Sequence, residues 1–311
     1  MPRPEPTDPD LTAGPDHPSR TYLVAGTRLS APSLAPGLHV VATPIGTLAD
    51  ITLRALETLA AADAVLCEDT RVTAKLMNHY GIATRLTPYH DHNAAEMRPK
   101  VLARLAEGQK LALVSDAGTP LVSDPGFKLV RDAVAAGAHV THLPGASAVL
   151  TALVLAGLPT DRFFFEGFLP AKQQGRRERI AEISRVPGTL VLFETGPRVA
   201  EALADLAEGL GPRPAALARE LTKRFEQVRR GTLTELAAAL GQEAPPKGEI
   251  VLVIGPPAEE APPSEGDVDA LLSAALARAS VKDAVAEVAS ATGLKRREVY
   301  ARALELTKAG A

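Results

Sequence analysis

The stretch Leu-Ala-Leu-Val-Ser-Asp-Ala-Gly-Thr-Pro-Leu-Val-Ser-Asp-Pro-Gly-Phe-Lys-Leu-Val-Arg-Asp-Ala-Val-Ala-Ala (111–136) decides the fold class. Leu111–Val114 is a short apolar run of the kind that forms a buried strand. Twelve small, polar, Gly- and Pro-rich residues follow (Ser115–Gly126), and then a helical pattern over Phe127–Ala136. A loop of that length without its own secondary structure is usually functional. The strand–loop–helix unit recurs on both sides. Leu38–Ala42 reads as a strand bounded by Gly37 and Pro44, and Asp50 is placed to cap a helix over Ile51–Ala61. Ala64–Cys67 is a strand before a helix at Val72–His79, and a short apolar stretch near Leu86 precedes a helix at Ala94–Glu107. His139–Leu143 and Ala146–Ala156 repeat the pair downstream. Strands alternating with helices pair in parallel through helical crossovers, which makes residues 37–157 an α/β domain.

Past a boundary at Gly157–Asp161 a second α/β domain is expected over 158–256. Its strands are expected at Phe163–Glu166, Thr189–Phe193, Ala215–Leu217 and Ile250–Ile254. Its helices are expected near Arg176–Ile183, Val199–Glu208 and Leu233–Leu240. The Pro/Glu-rich residues 257–268 read as a linker. Residues 269–311 read as a helical module, broken once at Ala291–Thr292–Gly293 into two helices with helix-turn-helix spacing. Residues 1–36 hold eight prolines and no sustained period, so a disordered tail is expected, with ordered chain from Gly37 and at most a short strand at Tyr22–Ala25.

With 311 residues, 46% hydrophobic and 23% charged, the composition is that of a soluble globular protein of about two domains. Cys67 is the only cysteine, so no intramolecular disulfide forms. The longest apolar run, near Ala148–Leu158, is half of what a membrane helix needs, and the N-terminal segment has no apolar signal region. The net charge is 34 − 37 = −3, unfavourable for general nucleic-acid binding. Two stretches, Arg162–Arg179 and Arg219–Arg230, each carry five Lys/Arg against two Glu and leave an anionic partner open. Aromatic content of 4%, without tryptophan, argues against a broad base-stacking platform.

In parallel α/β sheets, ligands bind outside the carboxyl ends of the strands, where loops converge and helix N-termini point inward. Four loops fall there: Thr43–Thr47, Glu68–Arg71, Ser115–Gly126 and Pro144–Ala148. None carries Gly-x-Gly-x-x-Gly, the phosphate-loop Lys motif or Gly-x-Ser-x-Gly, which argues against dinucleotides, nucleoside triphosphates and a hydrolase elbow. They offer the carboxylates Glu68, Asp69, Asp116 and Asp124 instead, a crevice suited to a cation or an amine.

Eight motifs in order then resemble the ribosomal RNA small-subunit methyltransferase I family, in the tetrapyrrole-methylase-like superfamily. They are Val-Ala-Thr-Pro-Ile-Gly-Thr-Leu-Ala-Asp-Ile-Thr-Leu-Arg-Ala-Leu (41–56), Glu-Asp-Thr-Arg (68–71), Tyr-His-Asp-His-Asn (89–93), the 115–126 loop, Leu-Pro-Gly-Ala-Ser-Ala (143–148), Gly-Leu-Pro-Thr-Asp-Arg-Phe (157–163), Phe-Glu-Gly-Phe-Leu-Pro (165–170) and Ala-Arg-Glu-Leu-Thr-Lys (218–223). The resemblance implies two α/β domains of the tetrapyrrole-methylase type with a small C-terminal helical module. It implies S-adenosylmethionine in the cleft between the domains, against Pro44, Ile45, Gly46, Ser115, Asp116, Ala117, Gly118, Thr119, Pro120, Gly145, Ala146, Ser147 and Phe168. The implied reaction is methyl transfer to the ribose 2′-oxygen of a cytidine in the decoding region of 16S rRNA, by a cytoplasmic homodimer with no membrane association. Phe193 and Pro197 stand where the family usually has Tyr and His.

Lys223, Glu220 and Glu68 are the candidate bases. Lys223 is the first choice, since desolvation near Arg219 and Arg224 favours its neutral form, and a phosphate contact is its equal alternative. Arg71, His90, Lys172, Arg176, Arg177, Arg198 and Arg224 are the expected RNA contacts. His90 and His92 lack the further ligands of a metal site, so no metal is expected. A tetrapyrrole methylase and a DNA-binding regulator are the competing readings, and the basic stretches disfavour the first.

Overall fold

The computed structural model describes residues 20–258 and 265–309. Ordered chain begins well before Gly37, against the expectation of a disordered tail to residue 36. Strands β1 (Thr21–Val24) and β2 (Thr27–Ser30) form an antiparallel hairpin. Ala25 and Gly26 both have positive φ, the geometry of the tight turn that matches strand twist. Burial holds the hairpin down. Tyr22 is 4% exposed in the first domain's core, and the Leu23 amide donates to Tyr80 O at 2.7 Å. Prolines on either side hid this pattern in the composition. Residues 1–19 lie outside the described residues.

The first domain runs β3 (Gly37–Val41), α1 (Leu53–Ala61), β4 (Ala64–Cys67), α2 (Thr70–His79), β5 (Leu86–Pro88), α3 (Ala94–Ala106), β6 (Lys110–Leu113), α4 (Phe127–Ala135), β7 (Val140–Leu143) and α5 (Ala148–Ala156). Its sheet is parallel throughout, in the order β5-β4-β6-β3-β7. Both faces are covered, so Leu38, Val65, Leu66 and Leu111 are fully buried, as parallel strands require. Asp50 does not cap α1. It sits in a separate 3-10 turn, and the Thr52 hydroxyl accepts from Ala55 N at 3.2 Å instead.

The second domain runs β8 (Phe163–Phe168), α6 (Gln173–Ile183), β9 (Thr189–Thr195), α7 (Gly196–Leu210), β10 (Pro214–Arg219), β11 (Gln227–Thr232), α8 (Leu233–Leu240) and β12 (Glu249–Ile254). The sheet order is β11-β10-β12-β9-β8, with only β8–β9 parallel. Strand β11 was not expected, because an edge strand reading Gln-Val-Arg-Arg-Gly-Thr carries little apolar signal. Leu190, Leu192 and Ile254 pack one face of the sheet against α6, α7 and α8. Val191, Ala216, Val251 and Val253 on the other face pack against Ala152 and Leu153 of α5. Helix α5 thus joins the first domain's last crossover to the second domain's sheet, with Leu150 and Val154 left exposed on its far side.

The chain divides into two compact units between Pro257 and Ala258. Among its described residues the C-terminal unit holds three helices, not two: α9 (Glu265–Leu276), α10 (Val281–Thr292) and α11 (Arg296–Ala309). The extra break at Ala277–Ser280 has no Gly or Pro to announce it. Its one signal is Ser280, whose hydroxyl caps α10 by accepting from Asp283 N at 3.3 Å. Leu272, Ala284, Val288, Val299 and Ala303 form this unit's own core. Among the described residues no helix is long and apolar enough to cross a membrane.

Candidate functional site

The parallel sheet delivers its four loops to one edge, and short-range bonds lace them together. Thr43 N donates to Gly118 O at 2.8 Å and Gly118 N returns a bond to Thr43 O at 3.0 Å, joining the loops after β3 and β6. The Thr119 hydroxyl reaches Ala146 O at 3.4 Å and ties in the loop after β7. Glycine at 145 lets this loop press close to the end of β3, since a Cβ there would approach Ala42 Cβ to 3.0 Å. Leu121 and Ser123 are held at φ of 74° and 61°. Such strain in non-glycine residues persists where the surroundings over-determine it, and it clusters at functional sites.

Across from these loops stand Phe168, Phe193 and the start of β12. A cavity of about 290 Å³ lies between the two domains, lined by Ile45, Asp116–Thr119, Val122–Asp124 and Ser147 on one side and Phe168, Phe193 and Gly248–Val251 on the other. A second, about 430 Å³, is lined by Thr43–Gly46, Lys75, Ser115–Ala117, Lys223 and Glu249. A third, about 480 Å³, is lined by Glu68–Arg71, His90 and His92. Asp116 borders all three. Ten of the residues expected at the cofactor thus border the first or second cavity: Pro44, Ile45, Gly46, Ser115, Asp116, Ala117, Gly118, Thr119, Ser147 and Phe168. Pro120, Gly145 and Ala146 border neither. Pro120 is buried, and Ala146 offers its carbonyl to Thr119.

The carboxylates set the electrostatics. Burial and the nearby Glu68 push Asp124 up to about 6, against a smaller downward pull from the Ser115 hydroxyl. Burial, with Asp116 and Asp91 close by, also raises Glu68. Asp69 goes the other way, to about 2, because the Arg71 side chain and backbone N–H both donate to it. Arg71 is therefore engaged with Asp69 at 2.6 Å although its side chain is 87% exposed. In sequence, Asp124 is one loop carboxylate among four. Its burial beside Glu68 is what only the fold reveals.

Several expectations need correction. Lys223 is not a neutral amine. Burial alone would lower it, but the carboxylates of Glu220 (2.9 Å) and Glu249 (3.0 Å) outweigh that and hold it above the usual lysine range. Glu220, bound to that ammonium, is held below the usual carboxylate range. Arg176 does not face RNA. It is 1% exposed, with Nε 2.7 Å from Asp205 and Nη2 3.4 Å from Glu201. Arg177 is likewise paired, with Asp205 (2.9 Å) and Glu208 (2.6 Å).

Of the other expected contacts, Arg198 donates to Leu169 O at 2.6 Å beside Glu194. Lys172 and Arg224 are exposed. His90 borders the third cavity, its ring edge-on to His92. Phe193 packs edge-on to Phe165 and Phe168. Pro197 sits in the first turn of α7, where its missing N–H costs nothing.

Comparison with known proteins agrees with this architecture. The family model for Tetrapyrrole (Corrin/Porphyrin) Methylases matches residues 37–237, and that for the RsmI C-terminal HTH domain matches residues 262–307. The chain is 51% identical over 285 residues to the ribosomal RNA small subunit methyltransferase I of Mesorhizobium japonicum, covering 91% of this chain and 97% of that one. It is 52% identical over 277 residues to the protein of the same name from Erythrobacter litoralis, covering 89% and 98%. Among solved structures, diphthine synthase superposes with a TM-score of 0.55 at 18% identity, over 70% of this chain and 89% of that one, which shows the shared fold. The chain belongs to the ribosomal RNA small subunit methyltransferase I family, built on the tetrapyrrole methylase fold.

Proposed function

We propose that this protein uses S-adenosylmethionine to methylate the ribose 2′-oxygen of a cytidine in the decoding region of 16S rRNA. The observation that carries the reading is the cavity between the two α/β domains, floored by the carboxylate-bearing 115–126 loop. The donor set fits the cofactor. A sulfonium and an α-ammonium group suit the wall of Asp116 and the loop carbonyls, and an apolar body suits Ile45, Val122 and Phe168. Those residues, with Gly118, Thr119 and Ser147, would hold it. When bound, it supplies an electrophilic methyl carbon. Relatives at 51% and 52% identity that carry the rRNA methyltransferase name favour RNA over a tetrapyrrole as the acceptor.

The chain's own residues have two tasks. The laced loops and the opposing sheet hold the cleft in one geometry, and pre-organised positioning of this kind is worth up to ~7–11 kcal/mol of a reaction barrier. A ribose hydroxyl is a weak nucleophile, and a base contributes about 10²–10⁴-fold. Asp124, ionised above about pH 6, takes the hydroxyl proton on a carboxylate oxygen, with Glu68 as the neighbour that keeps its affinity for the proton high. Lys223 remains charged and braces the cleft rim. The same reading makes the enzyme a cytoplasmic homodimer. The test is transfer of radiolabelled methyl from S-adenosylmethionine to 30S subunits, naked 16S rRNA or a precorrin. Label at a 2′-O-methylcytidine of 16S rRNA is expected, and label on the precorrin alone would overturn the reading.

A further inference from the structure

The loop between β10 and β11 (220–226) is braced beyond the needs of a connector. Glu220 and Thr222 are held at φ of 51° and 60° without being glycine. Inside the loop, Thr222 N donates to Glu226 Oε2 at 2.7 Å, Lys223 N to Glu220 O at 3.0 Å and Glu226 N to Lys223 O at 3.1 Å. The loop is also clasped to the first domain. Thr47 N donates to Thr222 Oγ1 at 3.1 Å, and the Thr47 hydroxyl donates to Thr222 O. The two backbones meet at Gly46, where a Cβ would come within 2.6 Å of both Lys223 Cγ and Thr222 Oγ1. Lys223 borders the second cavity, so the loop stands at its mouth.

This rigid support presents Arg224 and Phe225. Phe225 is 67% exposed, the most exposed aromatic among the described residues, and it belongs to none of the apolar cores. The Arg224 guanidinium lies 5.7 Å from its ring centroid. Its chain neighbours are charged or polar: Lys223, Arg224, Glu226 and Gln227. None of these chain neighbours adds apolar surface to the ring. A ring with a cation beside it suits the π face of a single nucleobase, since unpaired RNA bases stack on aromatic rings and on guanidinium planes.

We infer that Phe225, with Arg224 beside it, stacks on one unpaired nucleobase of the substrate RNA and holds the strand at the mouth of the cleft. The inference rests on the RNA-methylating reading above. The low aromatic content does not oppose it, because one ring serves one base.

The experiment is steady-state methylation of 30S subunits or 16S rRNA by Phe225→Ala, Phe225→Leu and Phe225→Trp, with S-adenosylmethionine affinity and particle mass measured alongside. Loss of one stack predicts a KM for RNA raised about 5- to 150-fold in both the Ala and Leu variants, with cofactor affinity and kcat nearly unchanged. The Trp variant restores KM. Since the chain contains no tryptophan, Phe225→Trp is also a unique fluorophore, and RNA should quench it. Wild-type KM in the Ala variant, or Trp emission indifferent to RNA, overturns the inference while leaving the function intact. A fall in particle mass that tracks the KM change makes Phe225 a subunit contact and overturns it as well. A wild-type enzyme that labels no small-subunit RNA removes the functional reading, and the inference with it, before any variant is compared.

Discussion

Replacing Arg176 by Met should unfold the second domain more readily and leave RNA binding otherwise alone. The guanidinium is 1% exposed, and its main partner, Asp205, is 3% exposed. Asp205 also accepts from Arg177 Nε at 2.9 Å and Gln173 Nε2 at 3.2 Å. Removing Arg176 leaves the buried Asp205 with only the half-exposed Arg177 as counter-ion, a cost of up to the about 3–5 kcal/mol of breaking a buried pair. For a folded unit of some 240 residues, each kcal/mol moves Tm by about 2–4 °C, so the variant should melt up to roughly 6–20 °C lower. Replacing both members (Arg176→Met with Asp205→Leu) should recover much of that, because an apolar pair of similar volume carries no desolvation penalty. Thermal unfolding followed by circular dichroism reads the shift. Filter binding across a salt series gives the second readout, since a lost phosphate contact would flatten the slope of log K against log salt by nearly one. A Tm within about 2 °C of wild type together with a flattened slope would refute the ion-pair argument and return Arg176 to the RNA.

Three further outcomes follow from the same geometry. With Asp124 as base, the single-turnover rate should climb as pH rises through about 6 and then level, and Asp124→Asn should lose about 10²–10⁴-fold in rate together with that limb. Because the folded state raises this carboxyl above its unfolded value, ionising it costs stability as pH rises through about 6. The Asn variant should therefore melt higher than wild type at pH 8 and no higher at pH 4. Arg176, Arg177, Arg179 and Arg229 are all paired with carboxylates, whereas Lys75, Lys172, Arg224 and Lys247 (beside the cleft-lining Gly248) are exposed cations available to phosphates near the cleft. Four contacts to single-stranded RNA give a salt slope of only about −3, and a slope steeper than about −5 would mean that ion pairs open on binding. Gly46→Val should force the 220–226 loop off the first domain, sacrificing two hydrogen bonds worth roughly 1 kcal/mol each, and should raise KM for RNA while the described core stays folded by near-ultraviolet circular dichroism.

Strand–helix alternation was legible because parallel strands are buried on both faces: Leu38–Val41, Ala64–Cys67 and Leu111–Leu113 are apolar runs that nothing else explains. What escaped were elements whose stability comes from distant partners. The β1–β2 hairpin is held by Tyr22 entering a core some thirty residues downstream, and β11 owes its place to pairing with β10 along a polar edge. Neither tie leaves a local period. The α9–α10 break turned on a single serine cap.

At the site the division is sharper. Which loops converge could be read from strand order and glycine placement, because backbone reach is a local property. The protonation state of a side chain could not, because it depends on neighbours brought from elsewhere. Lys223 looked poised for neutrality beside Arg219 and Arg224 in sequence. In space its nearest charges are Glu220 and Glu249, the second arriving from a strand 26 residues on. The run of arginines in 176–179 looked like an RNA track until α7 supplied Asp205 and Glu201 and α6 its own Glu182. The reverse holds for Asp124, one loop carboxylate among four in sequence, which burial and then the nearby Glu68 push up to about 6. Local charge counting thus placed free cations on a face that ion pairs neutralise, and it could not separate Asp124 and Glu68, which the fold raises, from Asp69, which it lowers. The fold uses its arginines to hold the second domain together and sets Asp116 and Asp124 on the wall of the cavity between the domains.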